Sequence, residues 1–353
     1  YTLKMKVLVD EGIRNFSKIA KEIDSFYGIE FIYTDHKEIN NNLLLDIDIL
    51  FVRSTTQINE CLLRSTKVKL VGSATAGFDH IDTNYLNSKR IEWFYSPGCN
   101  SSSVVHYVMS SIAYLHSINK INLEKETIGI IGYGNVGSKL HNVLNALNIK
   151  NVSYDPYRDF QHLCSIEDIM KSEVISIHVP LTHNVEYPTF NMVDKFFLEQ
   201  SQVKTLINTS RGSIVNEKDL LDIKDINYIA DVWEHEPEPY KKIIDRAVIA
   251  TPHIAGHSYE GKINGTLNLL LTLLKYININ KEAFKKDSEL IASYKSKHLM
   301  DTNQLKLHHF SETYNIHNES CKFKDLIKIS NKKLQATSFR KIRADHLKRH
   351  DIF

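Results

Sequence analysis

The chain has 353 residues, more than one hydrophobic core usually supports, so two or three domains are expected. Lysine and arginine total 44 and aspartate and glutamate total 42; the resulting formal net charge of +2 favours neither a nucleic-acid nor a membrane-surface partner. The four cysteines, Cys61, Cys99, Cys164 and Cys321, lack the paired spacing of a metal site or a disulfide framework and suit a reducing compartment.

The sequence shows no secretory or membrane segment. The first ten residues contain no apolar run of signal-peptide length. The most apolar helical stretch, Leu267–Ile277, is interrupted by polar side chains and is too short to cross a bilayer. We therefore expect a cytoplasmic protein with no membrane partner.

The first hundred residues alternate strands and helices. Strands are predicted at Met5–Val9, Ile29–Tyr33, Ile47–Val52 and Lys69–Val71, and an amphipathic helix at Ile13–Ile23. This alternation predicts a parallel sheet, in which ligands bind beyond the carboxyl ends of the strands. The polar turns after the last two strands are therefore possible substrate contacts, although each, taken alone, is more typical of an ordinary strand–helix loop.

Two long helices are predicted to connect two domains. The turn S-P-G-C-N at 96–100 precedes a helix predicted at Ser101–Ile118, and a second helix is predicted at Tyr259–Ile277. The second helix returns the chain to the first domain. The substrate domain is then discontinuous, comprising residues 1–100 and 257–280, with the cofactor domain, 101–256, inserted in it.

The most informative stretch is G-Y-G-N-V-G at 132–137. A buried strand, Ile128–Ile131, leads into it, and a helix with one apolar stripe, Val136–Leu147, follows it. In this context the first glycine permits a tight turn, the second admits a pyrophosphate, and the third lets the helix pack close to the strand. An acid ends the next strand 18 residues later (155 − 137), where a carboxylate can bind a ribose 2′-hydroxyl. These features predict an NAD site formed by Gly132, Gly134, Asn135, Val136, Gly137 and Asp155; a glycine-rich turn without a cofactor is the alternative.

Four more strands of this half each end in a polar turn. They are predicted at Val174–Ile177, Leu206–Asn208, Ile229–Ala230 and Val248–Ala250. The turns that follow read H-V-P-L-T, T-S-R-G, D-V-W-E-H-E-P and T-P-H-I-A-G. A repeated strand and polar turn is typical of a doubly wound fold.

Three side chains in these turns suit the oxidation of a 2-hydroxy acid. Arg211 offers a planar fork of donors for a carboxylate and the C2 oxygen. His253 is of the residue type that exchanges a proton near neutral pH, and Glu236 can orient its imidazole. Taken alone, the arginine could be a pyrophosphate contact, the glutamate a solvated loop acid and the histidine a structural residue. Their occurrence together at successive strand ends favours the catalytic interpretation.

Over residues 5–277 the chain resembles the D-isomer-specific 2-hydroxyacid dehydrogenases. The similarity rests on R-G-S-I-V-N (211–216), D-V-W-E-H-E-P (231–237) and T-P-H-I-A-G (251–256), placed after G-Y-G-N-V-G. Further motifs, including V-R-S-T-T (52–56) and H-I-A-G-H-S-Y-E-G-K (253–262), resemble members that oxidise 4-phospho-erythronate on the way to pyridoxal phosphate. The resemblance implies a homodimeric, NAD-dependent dehydrogenase of a phosphorylated 2-hydroxy acid.

The resemblance also implies roles for single residues. Arg211 and Glu236 would be catalytic, and His253 would be the proton donor in the reducing direction. The implied NAD contacts are Asp155, Val179, Thr209, Ser210, Arg211, Asp231 and Gly256. The implied substrate contacts are Ser54 and Thr75, to which we add His257, where the family usually has a tyrosine, and Arg53, which with Arg343 could neutralise the phosphate. His106 stands where a glutamate is usual, and we expect an effect on packing alone.

Residues 281–353 differ from the rest of the chain. They contain neither glycine nor proline, and their 16 basic residues exceed their 9 acidic ones by 7. They weakly resemble a C-terminal dimerisation segment, and a solvated charged helix is the alternative. The predicted fold class is therefore α/β, with a Rossmann-like cofactor domain inserted in a flavodoxin-like substrate domain, two doubly wound parallel sheets, and this segment.

Two other functions remain open at this point. The first is a dehydrogenase of the same family acting on 3-phosphoglycerate or on an unphosphorylated acid. The second is an NAD-sensing binding protein that keeps the fold without turnover. The presence of Arg211, Glu236 and His253 argues against the second.

Overall fold

The computed structural model describes residues 4–296, 299–328, 332–346 and 349–353. The chain divides into two compact units, Tyr1–Asn100 with Tyr259–Lys297 and Ser101–Ser258 with His298–Phe353. Each unit is built around its own parallel sheet. In the four described ranges, no helix combines the length and apolar character needed to cross a membrane.

The first unit begins with short alternating strands and helices. In chain order these are β1 (Lys6–Asp10), α1 (Phe16–Ala20), β2 (Glu30–Thr34), α2 (Asn41–Leu44), β3 (Ile49–Val52), α3 (Glu60–Leu63), β4 (Leu70–Ser73), α4 (Thr83–Ser88) and β5 (Glu92–Phe94). The strands are parallel in the order β2-β1-β3-β4-β5, which is the flavodoxin-like arrangement. Val7 and Val9 pack into one buried cluster with Phe16, whereas Leu8 packs into a second with Leu44. Both faces of this sheet are therefore covered, which explains the continuous apolar runs of its strands.

The second unit contains the six-stranded sheet. Its elements in chain order are α5 (Ser101–Ser117), β6 (Ile128–Ile131), α6 (Gly137–Ala146), β7 (Asn151–Tyr154), α7 (Ile166–Met170), β8 (Val174–Ile177), α8 (Lys195–Gln200), β9 (Thr205–Asn208), α9 (Glu217–Asp222), β10 (Asn227–Ala230), α10 (Lys241–Arg246) and β11 (Ile249–Ala250). All pairs are parallel, in the order β11-β10-β9-β8-β6-β7. The order reverses between β6 and β8, and ligands of doubly wound sheets bind beyond the carboxyl ends of the strands at such a reversal.

The remaining helices are divided between the two units. These are α11 (Tyr259–Tyr276), α12 (Lys281–Ser293), α13 (Leu307–Thr313), α14 (Ile316–Ile327) and α15 (Lys332–Asp345). Ile291 of α12 joins the buried cluster that contains Val7. Phe310 packs in the cluster around α5, and Phe323 and Phe339 pack on the other side of the second sheet. In the described part of residues 281–353, α12 lies in the first unit and α13, α14 and α15 lie in the second, and their apolar side chains belong to the cores of those units. That this segment forms a dimerisation domain stays a prediction.

The predicted fold class of two doubly wound parallel sheets is confirmed. The predicted helix at Ile13–Ile23 is much shorter, because Asn15 takes a left-handed backbone with φ 56° and the helix starts only at Phe16. Its apolar residues are nevertheless buried, so the pattern correctly marked a buried face. The edge strand β5 was missed, since three residues are too few for a periodic signal.

Candidate active site

The glycine turn between β6 and α6 has the geometry that its sequence predicts. Gly132 has φ +96°, and a Cβ there would overlap the carbonyl oxygen of His178. A Cβ at Gly137 would overlap the carbonyl oxygen of Gly132, so only glycine lets the helix begin this close to the strand. No atom lies within 4 Å of the position of a Cβ at Gly134. The turn therefore has a close-packed base and an open side that fits a pyrophosphate, with exposed Asn135 and half-buried Val136 beside it.

Asp155 lies just beyond the end of β7, next to the glycine turn. One carboxylate oxygen accepts the Tyr133 amide at 2.8 Å and the other accepts the Tyr157 amide at 3.0 Å. The carboxylate is thus held against the turn by two backbone bonds, and its remaining lone pairs can accept from a ribose hydroxyl.

The turns after β8 and β9 border the same reversal. Val179 and Thr209 are half-buried, and the Ser210 hydroxyl donates to the Ile177 carbonyl at 2.7 Å, so the proton of this hydroxyl is already used within the fold. His178 bonds the Ser176 hydroxyl at 2.9 Å. Burial lowers the pKa of His178 to about 3, so this imidazole is neutral at physiological pH and cannot serve as a cation for phosphate.

Arg211 is presented by a turn that Asn208 organises. The Asn208 side chain accepts the Ser210 amide at 3.1 Å and donates to the Arg211 carbonyl at 2.9 Å. Nη1 of Arg211 donates to the Ser210 carbonyl at 2.8 Å. A Cβ at Gly212 would overlap the backbone of Trp233, so this turn lies directly against the turn after β10.

Glu236 and His253 form a hydrogen-bonded pair. Nδ1 of His253 lies 2.7 Å from Oε2 of Glu236, and the Trp233 amide donates to Oε1 at 3.0 Å. Burial raises the pKa of the Glu236 carboxyl, but His253, the Trp233 amide and the charge of Arg343 outweigh it, and the pKa lies below the ordinary value. An ionised Glu236 accepts the Nδ1–H, which leaves the Nε2 lone pair of His253 to take a proton.

Asp231 holds the backbone on which His253 sits. Its carboxylate is 1% exposed and accepts the Thr251 hydroxyl at 2.6 Å, the Ile254 amide at 2.7 Å and the Ala255 amide at 2.8 Å. Its carbonyl accepts the His253 amide at 2.7 Å. His253 has φ 59°, a left-handed conformation that a histidine keeps only when its surroundings impose it. The resemblance implies an NAD contact for Asp231, and the structure adds that Asp231 supports the turn that carries His253.

Glu217, at the start of α9, is a buried acid that the sequence did not single out. One oxygen accepts the Glu234 amide at 3.0 Å, and the residue is 1% exposed. Burial is the main reason that its pKa rises to about 7, and the nearby charges of Glu234 and Glu236 add to the effect. Glu217 therefore joins the segment after Arg211 to the segment before Glu236.

We expect the substitution Glu217→Gln to stabilise the protein much more at pH 8 than at pH 5. The native state binds more protons than the unfolded state between the ordinary pKa of 4.5 and about 7, so the free energy of unfolding falls as pH rises through that window. Glutamine keeps the accepting oxygen and does not ionise, so the gain should be about 3 kcal/mol at pH 8 and less than about 1 kcal/mol at pH 5. Urea unfolding at both pH values measures this gain. An equal gain at pH 8 and pH 5 would contradict a raised pKa of Glu217.

Three proposed substrate contacts lie in the first unit. Arg53 forms two hydrogen bonds with the buried Asp10 carboxylate, at 2.8 and 2.9 Å. Ser54 is exposed beside it. The Thr75 hydroxyl bonds Ser73 at 2.7 Å and the Gly77 carbonyl at 3.0 Å, so it is fixed within its own turn.

The remaining predicted positions lie in the second unit. Gly256 and His257 are half-buried in the turn after His253, and the His257 amide donates to the Ile254 carbonyl at 2.9 Å. His106 is fully buried in α5, and its Nε2 lies 3.0 Å from the Thr313 hydroxyl. Burial and the neighbouring Arg349 lower the pKa of His106 to about 3, so it packs as a neutral side chain. Among the described residues no cluster suited to a metal ion is found.

Comparison with known proteins places the chain among dehydrogenases. Residues 109–255 match the family model described as D-isomer specific 2-hydroxyacid dehydrogenase, NAD binding domain. The chain is 38% identical over 290 residues to an erythronate-4-phosphate dehydrogenase of Wigglesworthia glossinidia brevipalpis, an alignment covering 79% of this chain and 75% of that protein. It is 35% identical over 328 residues to the enzyme of that name from Bacteroides thetaiotaomicron, covering 86% and 92%.

Solved structures with the same fold are also similar. The NAD⁺-bound 3-phosphoglycerate dehydrogenase of Entamoeba histolytica has a TM-score of 0.66 and 25% identity, covering 78% of this chain and 95% of that one. Together with the NAD-binding family model, this likeness confirms the predicted cofactor.

Proposed function

The chain belongs to the D-isomer-specific 2-hydroxyacid dehydrogenase family, and from this premise we propose that it oxidises 4-phospho-D-erythronate with NAD. The product is 2-oxo-3-hydroxy-4-phosphobutanoate, an intermediate of pyridoxine 5′-phosphate biosynthesis. The protein is an NAD-dependent oxidoreductase. The substrate is proposed from the names of its relatives in Wigglesworthia and Bacteroides, whose sequences align with most of this chain.

The bonded pair of His253 and Glu236 is the observation that carries the proposal. Bound NAD would supply the acceptor for the hydride of the substrate C2. As the hydride leaves, Nε2 of His253 takes the proton of the C2 hydroxyl, and the C2–O bond becomes a carbonyl. Glu236, held by the Trp233 amide, fixes the tautomer of His253 and stabilises the imidazolium that forms.

Arg211 supplies the second part of the mechanism. Its guanidinium presents a planar set of donors that suits the substrate carboxylate and the C2 oxygen. The Asn208 side chain and Gly212 fix the turn that carries it, and its Nη1 donates to the Ser210 carbonyl, so the guanidinium is held at one end before the substrate binds.

Arg53 is the proposed partner of the substrate phosphate. The Asp10 carboxylate is 0% exposed and is paired with Arg53, so Arg53→Ala would leave it buried without a cation. A change in KM in that variant could then come from lost stability and not from lost substrate binding. Arg53→Lys keeps the positive charge and loses the planar set of guanidinium donors. We expect it to raise KM for the phosphorylated acid about tenfold, with KM for NAD unchanged, in steady-state assays. An unchanged KM for the phosphorylated acid would remove Arg53 from the substrate site.

A substrate panel tests the function. Purified protein with NAD is given 4-phospho-D-erythronate, 3-phosphoglycerate or D-lactate, and absorbance of reduced nicotinamide is followed. We expect kcat/KM to be highest for 4-phospho-D-erythronate. Preference for another acid would reassign the substrate within the family. NAD binding without turnover on any acid would favour the NAD-sensing alternative.

We also propose that the enzyme is a cytoplasmic homodimer, as the family resemblance implies. All four cysteines are free thiols, which fits a reducing compartment. Light scattering should give about twice the chain mass of 40.7 kDa, and a monomer at micromolar concentration would contradict the dimer.

A further inference from the structure

Residues 349–353 place two charged side chains inside the second unit. Arg349 is 6% exposed and Asp351 is 2% exposed. Ionised groups are rarely buried this far unless several hydrogen bonds hold them. The contacts of these two residues therefore indicate what the segment does.

Arg349 bonds three backbone carbonyls from two parts of the chain. Its Nε donates to the His257 carbonyl at 3.1 Å, and its Nη2 donates to the Ser103 carbonyl at 3.2 Å and also to the Ala255 carbonyl. The guanidinium lies over the Tyr314 ring, 4.5 Å from its centre, which adds a cation–π contact. A lysine side chain lacks the planar guanidinium and could not donate to all of these carbonyls at once.

Asp351 joins the same two parts of the chain through hydroxyl groups. Its Oδ2 accepts from the Ser103 and Ser258 hydroxyls, each at 3.0 Å, and these hydroxyls lie 2.6 Å apart. The chain enters the second unit at Ser101 and first leaves it after Ser258. Arg349 and Asp351 thus bind both crossing segments, three residues or fewer from each crossing.

The second crossing segment begins at the catalytic histidine. Asp231 binds the amides of Ile254 and Ala255, and Arg349 binds the carbonyls of Ala255 and His257. The turn that follows His253 is therefore held by an anion on its N–H groups and by a cation on its carbonyl groups.

We propose that Arg349 and Asp351 clamp the two crossing segments of the second unit, and that Arg349 is a positioning residue for His253. The clamp itself is independent of the substrate. The effect on proton transfer rests on the proposed function.

Amide hydrogen exchange tests the clamp without using activity. In Arg349→Met, exchange in peptides covering 254–258 should accelerate about tenfold, whereas peptides covering 132–147 should be unchanged. Arg349→Lys should fall between parent and Arg349→Met. Arg340→Met, which removes an exposed arginine of α15, is the matched control and should leave both regions unchanged. Parental exchange at 254–258 in folded Arg349→Met would overturn the clamp.

Kinetics test the positioning role. Arg349→Met should lower kcat for the 2-hydroxy acid about tenfold and raise the Kd for NAD by less than about threefold, because Arg349 bonds the turn after His253, which supplies one implied NAD contact, Gly256, and does not bond the glycine turn. Arg349→Lys should recover part of kcat. If Arg349→Met does not fold, Arg349→Lys and Asp351→Asn decide, and parental kcat with parental exchange in both would overturn the proposal. If the parent itself has no turnover, the proposed function fails, and the exchange result still decides the clamp.

Discussion

Replacing His253 with glutamine should lower kcat about 10³-fold and leave the Kd for NAD within about twofold of the parent. Glutamine has a similar reach but cannot take a proton at the position of Nε2. The loss belongs to kcat because the proton moves in the same step as the hydride. The glycine turn and Asp155 should keep the cofactor affinity, because Asp155 is held by the Tyr133 and Tyr157 amides whereas His253 pairs with Glu236. Rapid-mixing assays at saturating substrate and tryptophan-fluorescence titration with NAD give the two numbers.

His235→Gln is the matched control for this experiment. His235 lies in the same D-V-W-E-H-E-P turn, its side chain is 46% exposed, and it packs against Tyr240. Its substitution should leave kcat unchanged. A His253→Gln enzyme that also keeps parental kcat would show that the proton leaves by another route, and the bonded pair with Glu236 would then be structural.

The strands and the turns of the site could be predicted because a buried strand and the polar turn after it are encoded together in one short stretch of sequence. Ile128–Ile131 was predicted with the observed bounds, since a strand covered on both faces reads as an apolar run and the next residue is a glycine. The pairing of Glu236 with His253 was expected from their places at the ends of successive strands, and the two side chains lie 2.7 Å apart. In both cases short stretches of sequence held the information.

The supports of the site could not be predicted because their partners are far away in sequence. Tyr107 lies in α5 and bonds the Thr251 hydroxyl at 2.7 Å, 144 residues away. Arg349 bonds the Ser103 carbonyl across 246 residues. No periodicity or motif links such pairs, and a basic residue near a charged helix is most simply read as solvated. Asn208 ended a predicted strand and Trp233 lay within a motif, but their residue types gave no sign of which backbone groups they would bind.

Asp231 shows how a motif residue can have a second role that sequence does not reveal. We expect Asp231→Asn to lower the free energy of unfolding by about 4 kcal/mol, because the carboxylate is buried and all three of its partners are donors. An asparagine side chain has one accepting oxygen, so its amide hydrogens would face at least one of those donors. The turn would then no longer be held so that His253 keeps its left-handed backbone conformation. We therefore expect kcat to fall together with the free energy of unfolding.

Urea unfolding of Asp231→Asn, alongside Asp225→Asn, measures this effect. Asp225 is an exposed acid of the same unit, and its substitution should change the free energy of unfolding by less than about 0.5 kcal/mol. If Asp231→Asn keeps parental stability and kcat but loses NAD affinity, the carboxylate acts mainly as the cofactor contact that the family resemblance implies. If stability and kcat fall together while the Kd for NAD is unchanged, the carboxylate acts through the backbone of His253. These two outcomes separate the two roles, because the first shows loss of a contact with the cofactor and the second shows loss of the three donors that the carboxylate holds.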